Sequence, residues 1–264
     1  MTNLVIFDFD GTLFDTHESI EHSIKLTFDA LLPDHVPPQS DIHRLISSGA
    51  GLSDTFHALH PDAAAFTAAE PQWIDKYREL YAVHGQVLIK AFPGAKTLLE
   101  ELKAHHIPTA IVSNKGVAAV KTALDRNGLV GYVPDELIVG DKTPGALRKP
   151  DPSSFVNVLV PALKARGTDV QPSQVLVVGD TVADIQFARN LGGRVCWCRY
   201  GYGDREACES MNPDFVVDSL DQVVGVVRVS SEGSAKSDEN FSSGKAQIRS
   251  IEIIAPRRLK NRKR

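Results

Sequence analysis

The chain has 264 residues, of which 42% are hydrophobic, and its formal net charge is −4. This length accommodates one large α/β domain with an inserted module, or two domains, and the apolar fraction is sufficient for a core. No run reaches the roughly 18 apolar residues of a membrane span, so we expect no membrane-spanning segment. A predicted strand begins within a few residues of Met1, which argues against a secretory signal.

Three cysteines lie late in the chain, at Cys196, Cys198 and Cys208. Cys196 and Cys198 alternate along a predicted strand, and no histidine lies at metal-ligand spacing nearby, so we expect ordinary thiols there. An odd number of late cysteines without a disulfide pattern is typical of a reducing compartment. We therefore predict a cytoplasmic protein.

The first predicted element is a buried strand at Leu4–Phe7 that is followed by two aspartates, Asp8 and Asp10. Because side chains alternate along an extended chain, Asp8 and Asp10 lie on the same side. Two carboxylates about 4 Å apart repel by roughly 4 kcal/mol at an effective dielectric constant of about 20, so such a pair usually has a cation or a shared proton. A strand-end turn capped by Asp10 is the alternative, but two more carboxylates near residue 180 favour a cation site.

Residues 16–90 are predicted to form a helical cap inserted after this strand. Apolar residues recur at helical spacing from Ile20 to Phe28, and prolines and a Ser-Gly-Ala-Gly segment at 48–51 divide the rest into helical pieces. Three aromatic residues of the block are predicted to be packing residues: Trp73, Tyr77 and Tyr81.

From residue 91 onward, predicted strands and helices alternate. The near-continuous Val, Ile and Leu runs of these strands are typical of a parallel sheet covered on both faces. We predict an α/β fold in which a Rossmann-like parallel sheet core, formed by residues 1–15 and 91–228, carries the helical cap. The later strands are predicted at 108–112, 137–139, 175–178, 194–198 and 215–217, and helices at 117–129, 152–165 and 185–191.

Three later segments place polar side chains at the predicted sheet edge or at the start of a helix. Ser113 and Asn114 follow one strand, Lys149 precedes a helix, and Asp180 follows another strand with Asp184 one helical turn later. Ser113 or Asn114 could instead be a plain helix N-cap, as could Asp180. Together, the carboxylates suit Mg²⁺, whereas the lysine, hydroxyl and amides suit a phosphate. This set predicts phosphoryl transfer, which depends on positioning and charge neutralisation.

These residues resemble the motifs of the haloacid dehalogenase superfamily of phosphotransferases. The resemblance extends over about residues 3–218, and finer details resemble the phosphoglycolate phosphatase-like branch of that superfamily. The four motifs occur in the superfamily's order: Asp8-Phe-Asp10-Gly-Thr12, Ser113-Asn114, Lys149-Pro150, and Gly179-Asp180 followed after three residues by Asp184.

The resemblance implies a role for each catalytic residue. Asp8 would be the nucleophile that forms an aspartyl-phosphate, and Asp10 would protonate the leaving oxygen and then activate water. Ser113 and the Asn114 amide would hold phosphoryl oxygens. Lys149 would neutralise charge on the nucleophile and the phosphate.

The resemblance also implies a Mg²⁺ site. Its ligands would be the Asp8 carboxylate, the backbone carbonyl of Asp10 and Asp180, with Asp184 bound directly or through water. The loop at 140–148 does not align with the family pattern, so no contact is predicted for it.

The predicted function is a Mg²⁺-dependent phosphatase acting on a small phosphorylated metabolite, with 2-phosphoglycolate as the best single choice. Inorganic pyrophosphate hydrolysis, a sugar-phosphate mutase and a non-catalytic phosphate-binding scaffold remain alternatives. If the 48–51 loop lies over the site, Arg44 or His43 would meet an anionic part of the substrate.

Residues 229–264 are predicted to be a flexible basic tail. This segment has nine Lys or Arg against four Asp or Glu, a net charge of +5, so residues 1–228 carry −9. Its composition has too few apolar residues to fold alone. Such an end can contact nucleic acid or another polyanion, act as a nuclear address, or simply be solvated.

Overall fold

The computed structural model describes residues 1–232 and 252–253 and confirms the predicted α/β fold. The central sheet has the strand order β5-β4-β1-β6-β7-β8-β9, and β2 pairs with β3 in a separate ribbon. The strands of the described residues are β1 (Leu4–Phe7), β2 (Phe14–Asp15), β3 (Lys90–Ala91), β4 (Thr109–Gly116), β5 (Ile138–Asp141), β6 (Val175–Gly179), β7 (Arg194–Cys198), β8 (Phe215–Val217) and β9 (Glu252–Ile253).

Strand β1 is an interior strand of the sheet, and both of its neighbours are parallel strands with apolar runs. Val5 is in register with Thr109 of β4 on one side and with Leu176 of β6 on the other. All four residues of β1 are buried, as expected for a strand covered on both faces. The strand order steps outward from β1 in both directions, so right-handed crossovers place helices on both faces of the sheet.

The helices occupy the stretches between the strands, with four of them between β2 and β3. They are α1 (His17–Leu31), α2 (Gln39–Ser47), α3 (Leu52–Leu59), α4 (Ala63–Leu80), α5 (Ala95–Ala104), α6 (Val117–Arg126), α7 (Val160–Ala165), α8 (Val182–Leu191), α9 (Arg205–Ser210) and α10 (Asp221–Glu232). Within the described residues, no helix is long and apolar enough to cross a membrane.

Helices α1 to α4 form a block with its own aromatic interior. The Trp73 ring lies 4.9 Å from Phe28 and 5.5 Å from Phe56, measured between ring centroids, and all three side chains are buried. Tyr77 and Tyr81 are also buried, as predicted for packing residues, and both line a cavity next to the sheet edge. We propose that this block is the inserted cap.

Several element boundaries differ from those expected. Strand β4 continues through the polar residues 113–116 because Gly116 is still paired with Asp141 of β5 beyond a register shift. The helix expected at 152–165 begins as a π-helical turn at Ser154–Leu159 before α7. Polar residues at a strand end predict a loop, yet here backbone pairing with β5 keeps the chain extended.

The C-terminal part of the described chain continues past Arg228, where the sequence placed the end of the core. Helix α10 runs to Glu232, and β9 pairs antiparallel to β8 with Ile253 opposite Phe215. The rest of the predicted basic tail lies outside the described residues.

Candidate active site

The carboxyl ends of β1 and β6 bring three carboxylates together with one lysine. Asp8 follows β1, and its backbone N–H donates to the Val178 carbonyl of β6 at 2.8 Å. The Lys149 ammonium donates to Asp8 and to Asp184, the latter at 2.6 Å, and all three side chains are buried. The structure therefore places Lys149 in direct contact with both Asp8, the predicted nucleophile, and Asp184.

Asp180 completes a cluster in which carboxylate oxygens of Asp8, Asp180 and Asp184 lie within 4.8 Å of one another. Asp180 accepts hydrogen bonds from the Thr12 hydroxyl at 3.0 Å and from the Tyr202 backbone N–H at 2.7 Å. Thr12 and Tyr202 had no predicted role, and Tyr202 is far from the acids in sequence. These two donors fix the Asp180 carboxylate at the sheet edge.

The cluster holds more negative charge than Lys149 offsets. Burial raises the pKa of the Asp8 carboxyl well above its usual range, and the attraction of Lys149 reduces this shift only in part. Burial, followed by repulsion from Asp184, raises the pKa of Asp180 to about 7. Buried carboxylates with raised pKa values are relieved by a hard cation, so this oxygen donor set fits Mg²⁺.

Gly11 is required by the close approach of the first turn to this cluster. Its φ is +77°, and a Cβ atom at this position would lie 2.4 Å from the Asp180 carboxylate. A side chain there would displace Asp180 and strain the backbone. The glycine of the first motif therefore shapes the carboxylate cluster.

Asp184 is held by the start of α8. Its second carboxylate oxygen accepts from the Thr181 backbone N–H at 2.9 Å and from the Thr181 hydroxyl at 2.7 Å, a capping arrangement that orients the acid. One oxygen thus caps the helix while the other receives Lys149.

Asp10 lies outside the group of three carboxylates and forms an ion pair with Lys115. The Lys115 ammonium lies 2.9 Å from Asp10 Oδ1 and 4.6 Å from the centre of the Tyr81 ring. Burial alone would lower the pKa of Lys115, but Asp10 and then Tyr81 outweigh burial and raise it. Lys115 had no assigned role in the sequence, although a lysine directly after a strand-end Ser-Asn pair was the available signal.

Ser113 and Asn114 lie at the same edge, at the end of the apolar part of β4. The Ser113 hydroxyl accepts the Lys115 backbone N–H at 3.1 Å. The Asn114 side chain donates to the Gly49 carbonyl of the loop after α2 at 3.3 Å and accepts the Lys149 backbone N–H at 2.9 Å. Asn114 therefore links the 48–51 loop to the segment that carries Lys149.

The structure does not bring Arg44 or His43 to the carboxylates. The Arg44 side chain is 67% exposed and pairs with Asp41, whereas His43 lies 2.8 Å from Glu21 on α1. Instead, Arg148 of the 140–148 loop reaches the cap, 3.4 Å from Asp54, while its Nε donates to Asp141 at 3.0 Å.

A cavity of about 380 Å³ opens onto Asp8 and Asp10. One wall is formed by the ends of β4 and β5 and by α6, and the other by the cap helices and the 48–51 loop. A phosphoryl group at the carboxylates would thus have its substituent under the cap. Clustered carboxylates, adjacent lysines and an adjoining cavity are the groups that phosphate ester hydrolysis uses.

Comparisons with known proteins agree with this geometry. The sequence profile of the haloacid dehalogenase-like hydrolase family matches residues 5–198. A phosphoglycolate phosphatase of Vibrio parahaemolyticus is 31% identical over 236 residues, covering 86% of this chain and 96% of that protein. An N-acetylmuramic acid 6-phosphate phosphatase of Pseudomonas putida is 31% identical over 201 residues, covering 75% and 83%. A haloacid dehalogenase-like family hydrolase of Streptococcus pneumoniae has a similar fold, with a TM-score of 0.70 at 23% identity over 85% of this chain and 98% of that one.

Proposed function

The chain belongs to the haloacid dehalogenase-like hydrolase family, and from this membership we propose that it is a phosphatase that hydrolyses a small phosphomonoester through an aspartyl-phosphate on Asp8. The observation that carries the proposal is the contact of Lys149 with both Asp8 and Asp184, where Asp8 and Lys149 line the cavity. A lysine held between a nucleophile and a second acid can neutralise the charge of an incoming phosphate.

In the first half of the reaction, an Asp8 carboxylate oxygen attacks phosphorus and the bond from phosphorus to the ester oxygen breaks. Asp10 gives a proton to the departing alcohol oxygen. Lys149 and the Ser113 hydroxyl hold the phosphoryl oxygens during this transfer, together with the Asn114 amide. Asp8 then carries the phosphoryl group as an acyl phosphate.

In the second half, Asp10 takes a proton from water, which attacks phosphorus and breaks the bond to Asp8. Inorganic phosphate leaves and the free Asp8 carboxylate returns. Lys115, 2.9 Å from Asp10, holds that carboxylate at the cavity wall, within reach of a departing ester oxygen and of the attacking water.

The residues that would hold Mg²⁺ are Asp8, Asp180, Asp184 and the backbone carbonyl of Asp10. When bound, Mg²⁺ would supply positive charge that polarises the phosphoryl group and reduces the repulsion between its oxygens and the attacking carboxylate. The fit rests on oxygen donors within 4.8 Å of one another and on the raised pKa values of Asp8 and Asp180.

The substrate is the finer part of the proposal. The name of the Vibrio relative supports 2-phosphoglycolate, and the name of the Pseudomonas relative supports a sugar phosphate. Pyrophosphate hydrolysis and mutase chemistry would use the same carboxylates. A non-catalytic scaffold would need neither Asp10 nor Lys115 beside the cavity, and their partly buried ion pair argues against it.

A phosphatase panel tests this function. Phosphate release from 2-phosphoglycolate, pyrophosphate and several sugar phosphates would be measured with and without Mg²⁺. We expect turnover of at least one monoester that requires Mg²⁺ and is lost in Asp8→Asn. Tight phosphate binding without turnover of any compound would show a scaffold instead.

A further inference from the structure

The cavity beside Asp8 is larger than a phosphoryl group with a two-carbon acid needs. Its volume of about 380 Å³ falls in the range of roughly 300–1,000 Å³ that is typical of sites for complete small molecules. The space lies under the cap, on the side where the alcohol part of a phosphomonoester would extend.

The cap side of this cavity is mainly apolar. Side chains from three different helices converge there, so the apolar wall is a feature of the cap as a whole. They are Ile20 and Ile24 of α1, Leu45 and Ile46 of α2, and Leu52 of α3. Contact with this wall removes apolar surface of a ligand from water and is therefore favourable.

Each cation that lines the cavity, in the part of the chain that the structure describes, already has a carboxylate partner. Lys115 is paired with Asp10 at 2.9 Å, and Arg78 lies 3.7 Å from Asp141. Lys149 is held by the carboxylate cluster. A carboxylate on the leaving group would meet these acids without an unpaired cation, so the cavity favours an uncharged leaving group.

One polar atom in the cap wall lacks a partner. Gln86 is 4% exposed, and its side-chain Nε2 donates to the Ala119 carbonyl at 3.0 Å. Its Oε1 has no hydrogen-bond partner among the described residues. Since Gln86 also lines the cavity, a ligand O–H or N–H placed against it would supply the missing partner.

We propose that the cap cavity takes a neutral, mainly apolar alcohol part of a phosphomonoester, with one hydroxyl or N–H that donates to Gln86. This inference rests on the proposed phosphatase function. It predicts that 2-phosphoglycolate, with its carboxylate, is a poorer substrate than an uncharged ester of similar length.

A series of n-alkyl phosphates from ethyl to hexyl tests the proposal. The leaving alcohols are nearly equal in basicity, so chain length changes contact with the cavity and leaves the chemical step unchanged. Burial of a methylene group should raise kcat/KM about fourfold per added carbon until the cavity is full. Propyl phosphate should also exceed 2-phosphoglycolate.

Three variants locate the effect. Ile46→Asn should flatten the dependence on chain length, whereas Val36→Asn, at a cap position that is 76% exposed and outside the cavity wall, should preserve it. Gln86→Leu should lower kcat/KM for ω-hydroxyalkyl phosphates more than for alkyl phosphates. Circular dichroism would confirm that each variant is folded.

The outcomes separate the two proposals. Suppose that esters are hydrolysed, that kcat/KM does not increase along the alkyl series, and that 2-phosphoglycolate is preferred. This result would overturn the preference for a neutral, apolar alcohol part and would leave the phosphatase function in place. If kcat/KM rises along the alkyl series but Gln86→Leu lowers it equally for both ester types, the proposed hydrogen bond from the ligand to Gln86 is overturned. No hydrolysis of any monoester would overturn the phosphatase itself.

Discussion

The ion pair with Lys115 gives Asp10, the proposed proton-transfer residue, different surroundings from those of the other acids. Asp8, Asp180 and Asp184 face one another, whereas Asp10 lies beside Lys115, 2.9 Å away. Two carboxylates two residues apart therefore have different surroundings, which is what different roles in one reaction require.

Replacing Asp10 tests its role at this scale. We expect Asp10→Asn to lower kcat/KM, which reports on the first half of the reaction, by roughly 10²–10⁴-fold for alkyl phosphates, the usual contribution of positioned proton transfer. The loss should be much smaller for 4-nitrophenyl phosphate, whose leaving group needs no proton. Asp29→Asn, at an exposed position of α1, serves as the control. An equal loss for both esters would show that Asp10 has only a structural role.

The start of α1 is attached to the core through Tyr202. The Tyr202 hydroxyl oxygen accepts the backbone N–H of Thr16 at 2.6 Å and that of His17 at 3.0 Å, and its O–H donates to Asp15 at 2.7 Å. The first N–H groups of a helix have no partner within the helix, so this hydroxyl satisfies groups that would otherwise need another acceptor. It joins the cap to the segment that also holds Asp180.

Removal of this hydroxyl should weaken the junction between cap and core. Tyr202→Phe leaves the Thr16 and His17 N–H groups without this acceptor, and we expect the free energy of unfolding to fall by about 1–3 kcal/mol. The matched control is Tyr132→Phe, whose hydroxyl donates to Glu100 at the surface and should contribute less than about 1 kcal/mol. Urea denaturation measures both; equal effects would contradict the anchoring role of Tyr202.

At the scale of the whole molecule, the carboxylate cluster links stability to metal and pH. The pKa of Asp180 is raised to about 7, so without metal the folded protein holds a proton that the unfolded chain releases near pH 4. The stability contributed by this group is therefore greatest below about pH 4 and is lost as pH rises through about 7. A cation at the cluster reverses the trend by favouring the ionised form.

Thermal unfolding with and without Mg²⁺ checks this linkage. We expect millimolar Mg²⁺ to raise Tm, because ligand binding stabilises the native state, and to raise it more at pH 8 than at pH 6. Asp180→Asn should increase Tm in the absence of metal and remove most of the Mg²⁺ effect. If Mg²⁺ does not change the Tm of the wild-type protein at either pH, the cluster is not a metal site.

Local sequence patterns predicted the fold and the site correctly where a strand and the polar residues at its end are adjacent in the chain. The run Leu4–Phe7 predicted both the central strand and the position of Asp8, because burial on both faces requires a continuous apolar sequence. Partners distant in sequence were not predictable in this way. Tyr202 reaches Asp180 and the start of α1 only because β7 lies beside β6. Neither Arg44 nor His43, the predicted contacts for an anionic substrate part, lines the cavity, because Arg44 is turned to solvent and His43 pairs with Glu21.

The central claim is that Asp8 becomes covalently phosphorylated, and the stereochemical course at phosphorus tests it most directly. A phosphorothioate monoester made chiral with oxygen isotopes would be hydrolysed in isotopically labelled water, and the configuration of the thiophosphate product would be determined. Each in-line displacement inverts phosphorus, so attack by Asp8 followed by attack of water predicts overall retention. Overall inversion would mean a single direct attack by water and would contradict the account.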